Sequence, residues 1–204
     1  MQVDPQTRSM QGLLTLFGLV LVNLVYLVTC LPVVTIGAAT SALFEVTFRL
    51  ADEERGRLVS EYLDALRRNA VRGTLVFLAL APGVAVLAFA AVFWSQLRSP
   101  FALAATLLAV LGAVYLVAAL LYALAQVALF HNTVGRTLRN AILLPMAEPF
   151  TTVAVLLIPL TCLSLLVAVH GFVVIVLTIG FSVGSYASAF LFRRAFARYP
   201  DARA

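Results

Sequence analysis

The distribution of charge along the chain separates long apolar stretches from short polar segments. The 36 positions between Arg8 and Glu45 and the 44 positions between Glu148 and Arg193 contain no formally charged residue. A charge at the centre of a lipid-embedded helix costs about 2.5–3.5 kcal/mol, and about 20 apolar residues span the hydrocarbon core as a helix. The pattern therefore predicts a single all-α integral membrane domain over residues 1–204.

We expect a polytopic helix bundle with five transmembrane helices, separated by polar segments and turn-forming residues. Ser99 and Pro100 are favoured N-cap and first-turn residues, so a helix begins directly after them. The final 44 uncharged residues would extend about 66 Å as one helix, roughly twice the thickness to be crossed, so they fold back at His170-Gly171. The five predicted spans are residues 13–36, 73–97, 101–130, 150–169 and 172–192.

The first span contains a proline at membrane depth. Pro32 frees a backbone carbonyl and usually kinks a helix, so we expect the chain to change direction near residues 32–37. The small residues of 37–42 allow another helix backbone to approach closely, and the helix is expected to continue toward Leu50. An alternative topology treats Pro32 to Ala42 as a re-entrant elbow, which leaves four full spans.

A long polar segment, residues 45–72, follows the first span and holds six arginines and six acids. From Leu58 onward its apolar residues lie on an arc of about 140°, with charged residues opposite. This pattern predicts a cytoplasmic amphipathic helix at about 57–72, lying on the membrane surface or against the bundle. Three acid–arginine pairs at the favourable i, i+4 spacing support the helix, namely Glu45/Arg49, Glu53/Arg57 and Asp64/Arg68.

Composition and charge agree with this interpretation and orient the chain. The sequence is 63% hydrophobic, above the roughly 45–50% of soluble domains, and all 14 basic residues are arginine. With five spans, the segments 45–72 and 131–148 and the C-terminal tail share one side, which collects 12 arginines and leaves Arg8 and Arg98 on the other. By the positive-inside rule we expect a plasma (inner) membrane protein with its N-terminus outside and its C-terminus in the cytoplasm.

The elbow alternative instead places the N-terminus inside. In either topology the arginines flank hydrophobic spans, which is typical of orientation signals and of contact with a lipid bilayer containing anionic lipids. We therefore do not expect nucleic acid as a partner.

Ionisable groups are nearly absent from the predicted spans. Membrane enzymes and transporters need such groups inside the bundle to act as bases, ligands or charge relays. His131 and His170 are too far apart to form a histidine-based zinc motif, and the sequence has no P-loop. We therefore expect no enzymatic activity, no catalytic residue, no metal and no cofactor.

Four positions within the spans are candidates for packing or binding. Asn23 is the most polar of them and favours hydrogen bonding between helices, with a small polar ligand site as the less favoured interpretation. Gly180, Gly184 and Ser188 recur at four-residue intervals in the fifth span and favour close packing within the bundle over homodimerisation.

One stretch resembles a known family. Leu31-Pro32-Val33-Val34-Thr35-Ile36-Gly37-Ala38-Ala39-Thr40-Ser41-Ala42-Leu43, preceded by Asn23-Leu24 and followed by Asp52-Glu53-Glu54-Arg55-Gly56, is similar to the signature of YesL-type bacterial membrane proteins, which are grouped as a domain of unknown function. Thr137-Leu138-Arg139-Asn140-Ala141 resembles an inner helix of the same family. Because YesL-like genes tend to accompany genes for carbohydrate ABC transport and polysaccharide utilisation, the resemblance implies an accessory role in sugar uptake.

Two functional hypotheses follow. The first is a non-enzymatic accessory protein that docks through its inner face onto carbohydrate ABC transporter subunits or another membrane complex, with contacts or lipid binding at Arg57, Arg67, Arg68, Arg136 and Arg139. The second is a small transporter or a lipid- or solute-binding protein that uses Asn23 and the proline kinks, because broken helices form substrate sites in transporters. The substrate and the oligomeric state stay open.

Overall fold

The computed structural model describes residues 5–52 and 56–198, with side chains described from residue 12 onward. Regular structure in these ranges is entirely helical. In chain order the helices are α1 (Pro5–Thr29), α2 (Ile36–Ala51), α3 (Leu58–Ser95), α4 (Pro100–Leu129), α5 (Val134–Ala147), α6 (Pro149–Ala168), α7 (Phe172–Ile175) and α8 (Phe181–Ala197). A 3₁₀ turn, Val33–Thr35, precedes α2, and a π-helical turn, Val176–Gly180, joins α7 to α8.

Six helical segments in the described residues are long and apolar enough to cross a membrane. They comprise residues 12–29, 33–51, 58–95, 100–129, 149–168 and 172–197. An all-helical structure of the described residues, with several helices able to span a membrane, is therefore confirmed, and the count differs from the predicted five plus an amphipathic helix.

The third, fourth and fifth predicted spans correspond to observed helices. Helices α4 and α6 each lie within one residue of their predicted bounds. Ser99 caps α4 as expected, because its Oγ accepts a hydrogen bond from the Ala102 backbone N–H at 3.1 Å. The chain turns at His170-Gly171, and the last helical segment continues to Ala197, five residues beyond the predicted end.

The predicted first span, 13–36, is divided into two helices. α1 ends at Thr29, and α2 runs on to Ala51 as a separate helix, which accounts for the sixth apolar segment. The break is stabilised locally, since the Thr35 hydroxyl lies 2.6 Å from the Thr29 carbonyl oxygen and 2.7 Å from that of Pro32. The change of direction expected at Pro32 is therefore confirmed.

The predicted amphipathic helix at 57–72 is not separate from the second span. Residues 58–95 form one continuous helix, α3, of 38 residues. The expected inward face is present in its first half, where Leu58, Tyr62, Ala65 and Asn69 are buried. Helix continuity follows because Gly73 is the only weak helix former at the junction, and one internal glycine costs only about 1 kcal/mol.

Close contact between α2 and α3 organises the bundle. A Cβ added at Gly73 would lie 2.8 Å from the Gly37 carbonyl oxygen, and a Cβ added at Gly37 would overlap the Gly73 carbonyl. The close approach expected from the small residues 37–42 is confirmed, and α3 is its partner. Such backbone proximity maximises van der Waals contact between the helices. In lipid, apolar side chains gain no hydrophobic free energy by leaving the solvent, so this contact is a main driving force for helix association.

An aromatic cluster joins the far end of α2 to α4 and α8. Phe192 packs edge-to-face against Phe44 with centroids 5.6 Å apart and against Tyr122 at 5.0 Å. Phe196 continues the cluster by packing against Phe130 at 5.5 Å. Edge-to-face pairs contribute about 0.5–1.5 kcal/mol beyond their burial, so this cluster fixes α8 against the ends of α2 and α4.

We expect Gly37→Ala to lower the stability of the folded protein by about 1–3 kcal/mol, because the new methyl group overpacks the α2–α3 contact. The measurement is the temperature at which heating reduces the monodisperse peak of the purified protein in detergent to half of its initial height. Gly135→Ala is the matched control, since nothing lies within 4 Å of its added Cβ. Equal effects of the two substitutions would contradict the close approach.

Candidate functional site

The arginine-rich segments meet at one end of the bundle. Arg72 donates a hydrogen bond to the Phe130 carbonyl at 3.2 Å, which ties α3 to the end of α4. Arg193 pairs with Asp52 and donates to the Ala51 carbonyl at 2.9 Å, which ties α8 to the end of α2. The prediction that these segments share one side of the membrane therefore agrees with their direct contacts.

Glu45 is the centre of a polar cluster between α2 and α3. Its Oε1 accepts hydrogen bonds from Arg68 at 2.6 Å and Arg49 at 3.1 Å, and its Oε2 accepts one from the buried Asn69 amide at 2.8 Å. The predicted Glu45/Arg49 pair is present, whereas Arg68 bonds across the helix interface to Glu45. The carboxylate is largely buried, and charge-assisted bonds offset its desolvation, so the cluster specifies how α3 lies on α2.

A second buried carboxylate holds the end of α8. Glu148, whose side chain is only 7% exposed, accepts hydrogen bonds from Arg198 at 3.0 and 3.2 Å. Thr151 lies 3.4 Å from the same carboxylate. Glu148 begins α6, where the positive end of the helix dipole favours an anion. The two carboxylates at the predicted cytoplasmic boundary thus both bind arginines.

The five arginines predicted to contact a partner or lipid are all exposed. Arg68 is committed to Glu45, and Arg57 lines a groove between α1 and α3. Arg67 on α3 and Arg139 on α5 make no ion pair within the described residues. Arg136 has a partner within the protein. The side chains most accessible to a partner are therefore Arg67 and Arg139.

Asn23 is fully buried and bonds to the π-helical turn before α8. Its Nδ2 donates to the Leu177 carbonyl at 2.7 Å and lies 3.4 Å from the Val176 carbonyl, and its Oδ1 accepts from the Ser182 backbone N–H at 3.0 Å. In a regular α-helix the Ser182 N–H would bond to the Thr178 carbonyl. Asn23 thus replaces a backbone partner lost in the wide turn, and its amide is occupied by the protein itself.

The small residues predicted for helix packing lie in different surroundings. Gly184 faces α6, where an added Cβ would lie 3.4 Å from Ile158. Gly180 lies in the π-helical turn, and its nearest side chain is Val176 of the same segment. Ser188 is buried, and its hydroxyl donates to the Gly184 carbonyl at 2.8 Å. Of the three, Gly184 makes the contact between helices.

Sequence reasoning did not identify a hydroxyl cluster beside the Pro32 break. The Tyr26 hydroxyl lies 3.2 Å from Thr40 Oγ1, and the Thr29 hydroxyl lies 2.6 Å from the Tyr62 hydroxyl. These bonds link α1 to α2 and α3. The pairing brings together residues from three separate segments, and neither tyrosine stands out locally, so no local pattern could have indicated it.

No group of three or more histidine, cysteine, aspartate or glutamate side chains that could hold a metal is found in ranges 5–52 and 56–198. Cys30 and Cys162 are both free thiols.

The architecture is that of a multi-pass membrane protein with a polar face at one end. A comparison of the sequence with known protein families gives one match. A family described as "Protein of unknown function, DUF624" matches residues 19–91, about a third of the chain. The match includes the 31–43 stretch, the Pro32 break and the α2–α3 contact, and it ends before residues 137–141. Neither the curated proteins nor the solved structures contain a match to this chain.

We expect Asn23→Leu to destabilise the protein by about 1–3 kcal/mol, because the Ser182 N–H and the Leu177 carbonyl lose a buried partner. The specific readout is hydrogen exchange of the Ser182 amide in nanodiscs, which should become faster. Thr178→Val is the control, since that exposed hydroxyl bonds only to carbonyls of its own helical segment. An unchanged Ser182 exchange rate would contradict the role assigned to Asn23.

Proposed function

We propose that this chain is an integral membrane accessory protein, without catalytic activity of its own, that docks through its arginine-rich face onto carbohydrate ABC transporter subunits or another membrane complex. The observation that carries the proposal is the presence of exposed arginines at the end of the bundle where buried carboxylates already bind other arginines. Arg67 and Arg139 lie outside that internal network within the described residues, so they remain accessible to acidic groups of a partner.

The link to carbohydrate transport rests on the resemblance of the 31–43 stretch to YesL-type proteins. The unknown-function family match over residues 19–91 supports the part of that resemblance that includes the Pro32 break. A solute site at Asn23, the second hypothesis, has less support because the Asn23 amide is engaged by backbone groups of Val176–Ser182.

In this proposal the arginine-rich face is cytoplasmic. Because the described residues contain six apolar helical segments and not the expected five, the N-terminus is placed on the same side as the C-terminus, whereas the five-span topology put it outside. Residues 14–21 of α1 line a groove together with Leu50 and residues 56–59, which supports placing the first turns of α1 beside the arginine-rich segments. Helices α1 and α2 form a hairpin, which either crosses the membrane twice or enters it and returns. In both cases the chain comes back to the side on which it began, so the N-terminus lies on the side of the arginine-rich face.

A fluorescent reporter that folds only in the cytoplasm tests this topology. Fused before residue 1 or after residue 204, it should fluoresce, whereas inserted next to Arg98 in the α3–α4 connection it should stay dark. Fluorescence at the C-terminus with none at the N-terminus would instead support the five-span topology.

Affinity capture from membranes of the native host tests the docking proposal. We expect the wild-type protein to retain transporter subunits or another defined complex, and Arg67→Glu/Arg139→Glu to reduce the captured amount at least about fivefold, since charge reversal repels an acidic partner. Arg98→Glu is the matched control, because it reverses an exposed arginine in the α3–α4 connection. Failure of the folded wild-type protein to capture any complex, or equal losses in both variants, would contradict the proposal.

A further inference from the structure

A second arginine-lined feature lies apart from the docking residues. A cleft of about 720 Å³ opens between the last turns of α2, α4 and α8. Its walls include four phenylalanines, and its rim carries two arginines together with one carboxylate, that of Asp52: Phe48, Phe130, Phe190, Phe196, Arg193, Arg194 and Asp52. The cleft thus combines an apolar interior with a cationic edge.

The two arginines are not equivalent. Arg193 is bound to Asp52 and to the Ala51 carbonyl, so its charge is compensated, although a guanidinium has five N–H donors and some remain available. Arg194 makes no ion pair or hydrogen bond within ranges 5–52 and 56–198. Among the described residues, the rim therefore carries one guanidinium without an ion partner beside a second guanidinium that can donate to the same acceptor.

The position of the cleft favours a lipid over a soluble ligand. Phe130 directly follows the apolar helix α4, and Arg193 ends the 44-residue uncharged stretch, so the rim lies where the apolar helices meet the polar phase. Phospholipid phosphates lie at that depth, and anionic lipids are attracted to basic groups there. The planar guanidinium of arginine can donate two parallel hydrogen bonds to two oxygens of a phosphate, while the phenylalanine walls suit an acyl chain.

We propose that this cleft binds an anionic phospholipid, with the phosphate on Arg194 and Arg193 and the start of an acyl chain against Phe190 and its neighbours. The arginines involved differ from those of the docking proposal. The two proposals can therefore fail separately.

Binding of short-chain lipids to the purified protein in non-ionic detergent tests the site. We expect dioctanoyl phosphatidylglycerol to bind at least about tenfold more tightly than dioctanoyl phosphatidylcholine, as measured by native mass spectrometry. Arg194→Gln should weaken phosphatidylglycerol binding at least about fivefold, and Arg98→Gln, at an exposed arginine in the α3–α4 connection, should leave it unchanged. Phe190→Ala tests the apolar wall and should also weaken binding, since this exposed side chain lines the cleft.

Glycerol 3-phosphate separates a lipid site from a phosphate site. If it binds as tightly as phosphatidylglycerol, the cleft recognises a free phosphate and the lipid proposal is wrong. Equal binding of the two lipids, or equal losses in Arg194→Gln and Arg98→Gln, would also overturn it. Each variant is compared only as a monodisperse sample, so that loss of binding is not loss of folding.

Discussion

Backbone N–H and C=O groups at membrane depth must find partners within the protein, and this constraint shapes the fold of the chain. Hydrocarbon offers no hydrogen bonds, and each unsatisfied group costs several kcal/mol. The chain interrupts its helices twice within apolar stretches, at residues 30–35 and at Val176–Gly180. At the first interruption Thr35 bonds to the Thr29 and Pro32 carbonyls, and at the second Asn23 bonds to the π-helical turn. Side chains thus make both irregularities possible.

Helix α1 contacts both segments in which these interruptions lie. Asn23 reaches the π-helical turn, and one turn later Tyr26 contacts both Thr40 and the ring of Phe181 at 5.3 Å. The first helix therefore joins the α2–α3 unit to the last helical segment.

Much of the fold follows from local sequence, and the remainder depends on tertiary contacts. Residues such as Ser99 and Pro100 act within a few positions of themselves, so the start of α4 could be predicted. The continuity of α3 could not, because its charge-rich half and its apolar half suggest two environments, although no proline lies at the junction between them. The π-helical turn was equally unpredictable, since its partner Asn23 lies more than 150 residues away and the surrounding residues are apolar on every side.

At the polar end of the bundle, too, some features follow from local sequence and others depend on tertiary contacts. The excess of arginine on one side was evident from the sequence, and the spacing of Glu45 and Arg49 predicted their pairing. Local spacing predicted Asp64 as the partner of Arg68, but the cross-helix carboxylate of Glu45 binds it instead. A partly buried carboxylate has lost more hydration than an exposed one and gains more from a guanidinium. Which arginines remain accessible is therefore decided by the packing of α2 on α3.

Helix α3 has a mechanical consequence. Its 38 residues measure about 57 Å along one axis, which is nearly twice the hydrocarbon thickness of about 30 Å. A tilt of about 5° imposed on its arginine-bearing half would displace its other end, near Trp94, by about 5 Å if the helix moved as a rigid rod. Pro82 removes one hydrogen bond near the middle and is the natural point of bending. The length of α3 therefore makes the position of its Trp94 end sensitive to small changes of angle at its arginine-bearing end.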